Sequence, residues 1–317
     1  ASPEPRLLQS GRHKHAFGPT TPGHRPTLAA GTTQARCWHA GNRHLPTRKQ
    51  RTSWKDDMGQ RLENARNLYL EGIRDGNAEQ AIEKYAGDRY VQHSTPVKDG
   101  KDGFIEFFAD FLQRNPVRDI EILRGFEDGQ YVFLHALQTL NDGELRYVTA
   151  DIFDTDDNAR MIEHWDIIAE VLDDTASGHT QFDGPTEVTD LSKTDQNKAL
   201  VSSFLHDVLE AGNYDELAHY ISTETFIQHN PHIADGIDGF TAYWDSLAAD
   251  GKAMRYEHIH NVIGSGNFVA ALSEMSLGAV AIAVIDLFRV ANGRIVEHWD
   301  VTEEIQPEET WVNSGKF

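Results

Sequence analysis

Cysteine is almost absent from the chain. Cys37 stands alone, so no intrachain disulfide can form, and the fold must hold by core packing in a reducing or redox-neutral place. Long apolar runs are missing as well. No stretch approaches the roughly 18 residues that a membrane-spanning helix needs, and no short apolar segment near the start has the form of a secretory signal. No Gly-rich phosphate loop of the P-loop or dinucleotide kind is present, so no nucleotide is expected, and no other cofactor is called for. Positive charge is scarce beyond residue 57, with 19 Lys+Arg against 47 Asp+Glu. Such an acidic body repels nucleic acid and anionic membranes, because affinity there comes largely from neutralising phosphates. The expected partner is a small molecule, with neither nucleic acid nor membrane involved, and the expected location is cytoplasmic.

Residues 1–57 reverse that balance, with 10 Lys+Arg against 3 Asp+Glu. They are rich in Pro, Gly, Thr, His and Arg and show no sustained apolar period, a composition that cannot offset the entropy of ordering. A disordered extension is expected over 1–57. Met58 reads as a natural start behind an appended leader, with an Arg-rich transit peptide as the other reading. Cys37 and the five histidines of this segment match no zinc spacing.

The rest of the chain is a repeat. Gln92-His93, Asp99-Gly100 and Asp102-Gly103-Phe104 recur 136 residues later as Gln228-His229, Asp235-Gly236 and Asp238-Gly239-Phe240. Asp151-Ile152-Phe153 returns as Asp286-Leu287-Phe288, and Glu163-His164-Trp165-Asp166 as Glu297-His298-Trp299-Asp300. Val201, Phe204, Leu205, Val208 and Leu209 have the spacing of an amphipathic helix, matched by Ala65, Leu68, Tyr69, Gly72 and Ile73. A second helix follows in each copy, and a third is expected behind Asp102 or Asp238 as N-cap. The pattern then changes to β-branched and aromatic runs at 131–140, 144–154 and 161–171, and again at 267–277, 281–290 and 294–305. Three helices followed by an antiparallel meander predict an α+β fold, with helices covering one face of a curved sheet. The expected organisation is 58–172 for domain one, 173–193 for the linker, 194–306 for domain two and 307–317 for a C-terminal tail.

Polar residues interrupt elements that should face the core. Asp286 breaks an apolar run, and strand alternation places His298 and Asp300 on one face, with Glu297 and Trp299 on the other. With His229 they form a candidate cavity set, and His93, Asp151, His164 and Asp166 form its weaker equivalent. A buried carboxylate must be paired, shifted in pKa or given a function, and a His beside it makes an acid/base pair near neutral pH. Asp286 capping a turn and His298 satisfying a backbone carbonyl are the structural alternatives. Metal ligation ranks below acid/base work, because no ligand pair has the close helical spacing of metal motifs.

These residues resemble the SnoaL-like polyketide cyclase family of the nuclear-transport-factor-2-like superfamily. The carriers are Ile227–Pro231, Asp286–Val290, Asn292–Ile295 and Val296–Val301. With the linker segments Ser177–Thr180 and Asp183–Glu187, the chain is similar to tandem proteins described as aldol-condensation enzymes. The resemblance covers about residues 60–306. It implies two cone-shaped α+β barrels forming an intrachain pseudo-dimer, hence a monomer in solution. It also implies cofactor-independent aldol cyclisation, condensation or isomerisation of a small carbonyl or polyketide-like compound. Asp286 or Asp300 would be the base, with Asp286 placed first, and His298 or His229 would polarise the carbonyl. A non-catalytic carrier of an apolar metabolite, or a structural pseudo-dimer with closed pockets, are the other readings. The first copy departs from the family pattern at Ser94-Thr95-Pro96, which places the chemistry mainly in the second copy.

Overall fold

The computed structural model describes residues 59–317; the extension expected over 1–57 lies outside them. Among the described residues no helix is long and apolar enough to cross a membrane.

Each copy opens with a helix whose second part widens into a π-helical stretch. In the first copy α1 (Gln60–Asn67) runs into Leu68–Arg74, and α2 (Ala78–Tyr85) and β1 (Ala86–Gln92) follow. After α3 (Gly100–Arg114) come four long strands, β2 (Arg118–Asp128), β3 (Tyr131–Leu140), β4 (Leu145–Thr155) and β5 (Met161–Glu170). The second copy repeats this order with α4 (Thr194–Phe204), a π-helical stretch at Leu205–Glu210, α5 (Leu217–Tyr220), β6 (Ile227–Gln228) and α6 (Gly236–Ala249). Its meander is β7 (Met254–Ser265), β8 (Phe268–Leu277), β9 (Val280–Ala291) and β10 (Arg294–Glu304). The sheets have the order β1-β5-β4-β3-β2 and β6-β10-β9-β8-β7. The short strands β1 and β6 pair parallel with β5 and β10, and all other pairs are antiparallel.

Two features depart from expectation for identifiable reasons. The third helix of each copy starts at Gly100 or Gly236, with Asp99 or Asp235 at the N-cap position, three residues ahead of Asp102 and Asp238. Both glycines have φ near +80°, a conformation that costs a side-chain-bearing residue more than glycine. The N-cap carboxylates accept the backbone N–H of Gln92 (2.8 Å) and Gln228 (2.9 Å), tying the helix start to the short strand. Strands β2 and β7 escape the sequence pattern because register shifts break their alternation. In β2 the shift between Ile122 and Arg124 turns Ile120 toward the helices and Arg124 and Phe126 toward the other sheet.

Alternation gives each sheet two buried faces. One packs on its own helices: Val269, Ala271, Met275, Val284 and Phe288 join Val201, Phe204, Leu205, Phe240 and Trp244 in the second copy's core. The opposite faces meet in a shared layer, where Phe133, Ala150, Ile152 and Ile167 of one sheet pack against Ala270, Leu272, Ile285, Leu287 and Trp299 of the other. Removing these apolar side chains from water favours the contact between the two sheets.

The segments that follow each sheet cross to the other copy. After β5 the chain passes over the second copy: Ala176 N–H donates to Pro231 O, Ser177 Oγ to Gln228 O and Trp299 Nε1 to Asp183 O. After β10 the tail passes over the first: Val312 N–H donates to Thr95 O and Asn313 Nδ2 to Ser94 O, while Lys316 Nζ donates to Asp166 O. Each copy is therefore covered by its partner's C-terminal strap.

Candidate active site

Register fixes the site before any side chain is considered. Asp286 pairs with Asp300 across β9 and β10, and Asp151 with Asp166 across β4 and β5. His298 lies two pairs away, opposite Phe288, on the same helix-facing side as Asp286 and Asp300. His298 stacks on Phe288 at 4.8 Å between ring centroids, and His164 on Phe153 at 4.3 Å.

The protonation of the histidine follows from its neighbours. Gln228 Oε1 accepts the backbone N–H of His229 (3.1 Å) and Asn230 (3.2 Å), which identifies that atom as the oxygen. His298 Nδ1, 2.9 Å from the same oxygen, must therefore donate. His298 Nε2 lies 3.0 Å from Asp286 Oδ1, so one proton sits between imidazole and carboxylate. The first copy repeats this with Gln92 Oε1, His164 and Asp151 at 2.8 and 3.1 Å. Neither glutamine was singled out for this role from sequence. The Gln-His pair repeated in both copies is the signal that could have found them, because parallel pairing puts each glutamine opposite its site histidine.

A tyrosine completes both constellations but comes from different elements. Tyr256 on β7 donates to both oxygens of Asp286 at 3.1 Å, whereas Tyr69 on the first helix donates to Asp151. Leu205 and Ile120 stand at the respective equivalent positions, so the repeat conceals this shared group. Burial and then the neighbouring carboxylate push both phenols well above their ordinary value, keeping them donors. Asp151 also accepts from Thr149 Oγ1 at 2.8 Å.

His229 and His93 do not join these sets. They lie on the opposite face of the sheet, in the layer between the copies. His229 stacks on Trp299 at 4.5 Å and bonds Glu297 Oε1 at 2.9 Å and Thr180 O at 2.7 Å. His93 stacks on Trp165 at 4.8 Å and bonds Glu163 Oε1 at 3.0 Å and Gly315 O at 2.8 Å. The expected convergence of four residues is thus a convergence of three, with Gln228 or Gln92 beside them. The reason is alternation: the residue after an inward glutamine faces outward.

The two copies differ in access. In the first, Asp151, His164 and Asp166 are all buried, and Lys316 of the tail, 4% exposed, places its ammonium 3.7 Å from Asp166 Oδ1. In the second, Asp286 is fully buried but Asp300 is only partly so, held by Asn230 Nδ2 at 2.7 and 3.0 Å. Burial raises the Asp300 carboxyl above the ordinary range, and Asp286 pushes the same way, against His298 and Asn230. Asp286, His298 and Asp300 offer ligand atoms within 4.8 Å of one another, as do Asp151, His164 and Asp166. A divalent ion at either trio would have to displace the proton bridging His and Asp. Two surface clefts of about 330 and 670 Å³, beside Gln196–Ser203 and Gly212–Glu216, lie away from both trios.

Residues 201–298 match the family model of the SnoaL-like domain. No curated protein matches the chain. Among solved structures, a proposed ketosteroid isomerase from Kribbella flavida is similar at 14% identity and a TM-score of 0.32, covering 36% of this chain and 83% of its own. IdmH, a proposed polyketide cyclase from Streptomyces antibioticus, is similar at 19% and 0.29, covering 34% and 92%. A proposed SnoaL-like polyketide cyclase from Jannaschia sp. CCS1 is similar at 18% and 0.30, covering 38% and 92%. The second copy thus has a SnoaL-like fold, and the first repeats its element order and buried constellation.

Proposed function

We propose that the second copy is a cofactor-independent acid/base site acting on a small carbonyl or polyketide-like compound, with Asp300 as the base. The observation that carries this is the partial exposure of Asp300 beside a buried, proton-sharing His298–Asp286 pair. Asp286 is saturated by Tyr256 and His298 and has no exposed surface, which suits it to orient His298 and leaves Asp300 to meet a substrate. A carboxylate raised by desolvation is a stronger base than one in water, and a base works best with a pKa nearer the operating pH.

The steps balance as follows. Asp300 takes a proton from the carbon alpha to a carbonyl, and the electron pair moves onto the carbonyl oxygen as an enolate. In aldol closure the enolate carbon bonds to a second carbonyl carbon, and Asp300 returns the proton to the new alkoxide. In isomerisation the same proton returns to a different carbon. Neither route needs an oxidant or a metal.

The test is solvent-deuterium uptake at the α-carbon of a ketone panel, followed by mass spectrometry. Asp300→Asn should lower uptake by ~10²–10⁴-fold with Asp166→Asn nearly silent. Full uptake by Asp300→Asn would leave the site without its base. Tight binding of ketones without uptake by the wild-type chain would favour the carrier role.

A further inference from the structure

The bulges of β7 gather two histidines on one side of the strand. The register sets Tyr256 opposite Met275, His258 opposite Glu274 and Ile259 opposite Ser273, with Glu257 and His260 left outside the ladder. Ile259 packs on the helix-side core of the second copy, so the residues that flank it, His258 and His260, leave the sheet on the other face. Both are exposed, and their rings stand 4.6 Å apart between centroids at 75°. Phe317 lies flat against His260, parallel within 8° at 4.0 Å. Such stacking uses the face of an imidazole and leaves the nitrogens at its edge. The side chains of His258, His260 and Glu274 make no hydrogen bond or ion pair to any other described residue, whereas His206 and His219 are each bonded to a nearby carboxylate.

We propose that His258 and His260 chelate a transition-metal dication such as Zn²⁺ and so brace the C-terminal tail. Two imidazoles held to one ion by bonds of about 2.0–2.1 Å stand roughly 5 Å apart between ring centres. The rings already have nearly that spacing, and small side-chain rotations aim both at one point. Glu274, directly across the ladder from His258, offsets the charge of the ion, and water fills its remaining positions. The class of ion follows from the donors, because neutral imidazoles suit Zn²⁺, Cu²⁺ and Ni²⁺, while Mg²⁺ and Ca²⁺ prefer oxygen. Burial, then His258, pushes His260 down to about 4, so its ring is neutral near pH 7 and no proton has to leave. An ion that fixes the His260 ring also fixes the surface on which Phe317 rests, next to the Lys316 that closes the first copy. The site lies on the face opposite Asp286 and does not rest on the role of Asp300.

The probe is Zn²⁺ alone, titrated calorimetrically into the full chain at pH 7.5. Wild type should bind one ion that His258→Gln and His260→Gln each bind at least about tenfold more weakly, since loss of even an outer partner of a ligand costs about 10–100-fold. Ions held by residues 1–57, or by Asp286, His298 and Asp300, are common to all three proteins and cancel in the comparison. Both substitutions fall at exposed positions, and His258→Gln also keeps the stack of His260 on Phe317, so an unchanged melting midpoint without metal will verify its fold. Zn²⁺ should raise the midpoint of wild type more than that of His258→Gln, because only the folded chain holds the two rings together. Equal Zn²⁺ stoichiometry and affinity in wild type and either variant, including no binding by both, overturns the chelate, which needs both rings. An equal rise in midpoint overturns the brace.

Discussion

Replacing Lys316 with methionine tests how the tail holds the first copy. Lys316 is 4% exposed and donates to Asp166 O at 2.7 Å and Glu303 Oε1 at 3.2 Å, with Asp166 Oδ1 at 3.7 Å. Burial lowers its pKa, but Glu303 and Asp166 outweigh burial and the net shift is upward. Methionine keeps the length and bulk of the side chain and removes the charge, leaving Asp166 and Glu303 uncompensated. Breaking a buried pair by removing one partner costs ~3–5 kcal/mol. The side chain of Glu303 is 26% exposed, so water will recover part of that, and ~2–4 kcal/mol is expected. At roughly 2–4 °C per kcal/mol for a unit of this size, the midpoint should fall by about 5–15 °C. Thermal and urea unfolding followed by circular dichroism at pH 7 will measure it, and adding Asp166→Asn should restore part of the loss. The sign with pH is also fixed. A lysine raised in the folded state stabilises fully below its unfolded value near 10.5 and loses that contribution as pH climbs through the folded value. Wild type and variant should therefore converge in alkaline solution. A cost under ~0.5 kcal/mol at pH 7 would refute a charge-anchored tail.

Turnover should rise with pH along a limb above the ordinary carboxylate range, and Asn230→Ala should move that limb upward by removing a bond that favours ionised Asp300; a pH–rate profile with the limb unmoved would contradict the assignment. Asp286→Asn removes a like charge, so its limb should move down while the rate falls from loss of the His298 anchor. His135 is 1% exposed beside Arg124, and burial, then Arg124, holds it well below its ordinary value. Unfolded His135 takes a proton below about pH 6.5 and folded His135 does not, so its stabilisation is lost as pH falls. His135→Gln should flatten the decline in melting midpoint between pH 7 and 5, and a slope equal to wild type would show that other groups set it. Residues 194–306 expressed alone should dimerise or aggregate through exposed Leu272, Ile285, Leu287 and Trp299, as light scattering would reveal.

The repeat made much of the fold legible, because Asp286, His298 and Asp300 recur in order and sit on strands with readable alternation. What stayed hidden depends on contacts between distant segments. Strands β2 and β7 carry bulges that spoil period two, so their charged residues read as loop. Tyr69 and Tyr256 serve equivalent carboxylates from non-equivalent elements, so comparison of the copies cannot find them. His229 looked like a site residue because it adjoins the short strand; its outward direction follows from parallel pairing of β6 with β10, which the sequence does not declare. Lys316 lies 150 residues from the carboxylate it neutralises, and only the crossing of the tail brings them together.

The first copy keeps Tyr69, Asp151, His164 and Gln92 although its carboxylates are sealed, and physical chemistry explains this without invoking catalysis. Losing one member of a buried, hydrogen-bonded charged set leaves the others unpaired, at ~3–5 kcal/mol, whereas replacing the whole set by well-packed apolar residues is close to neutral. Single substitutions are therefore blocked while the joint replacement needs several changes at once. A complete constellation is then poor evidence of activity, and the decisive features are those that a purely structural set would not need. In the second copy these are the partial exposure of Asp300, its hydrogen bonds from Asn230, and the polar side chains of His232 and Tyr243. In the first they are replaced by Phe107, Pro96 and a buried ammonium. The same backbone thus holds one Asp–His pair beside a partly exposed carboxylic residue and one behind the chain's own lysine.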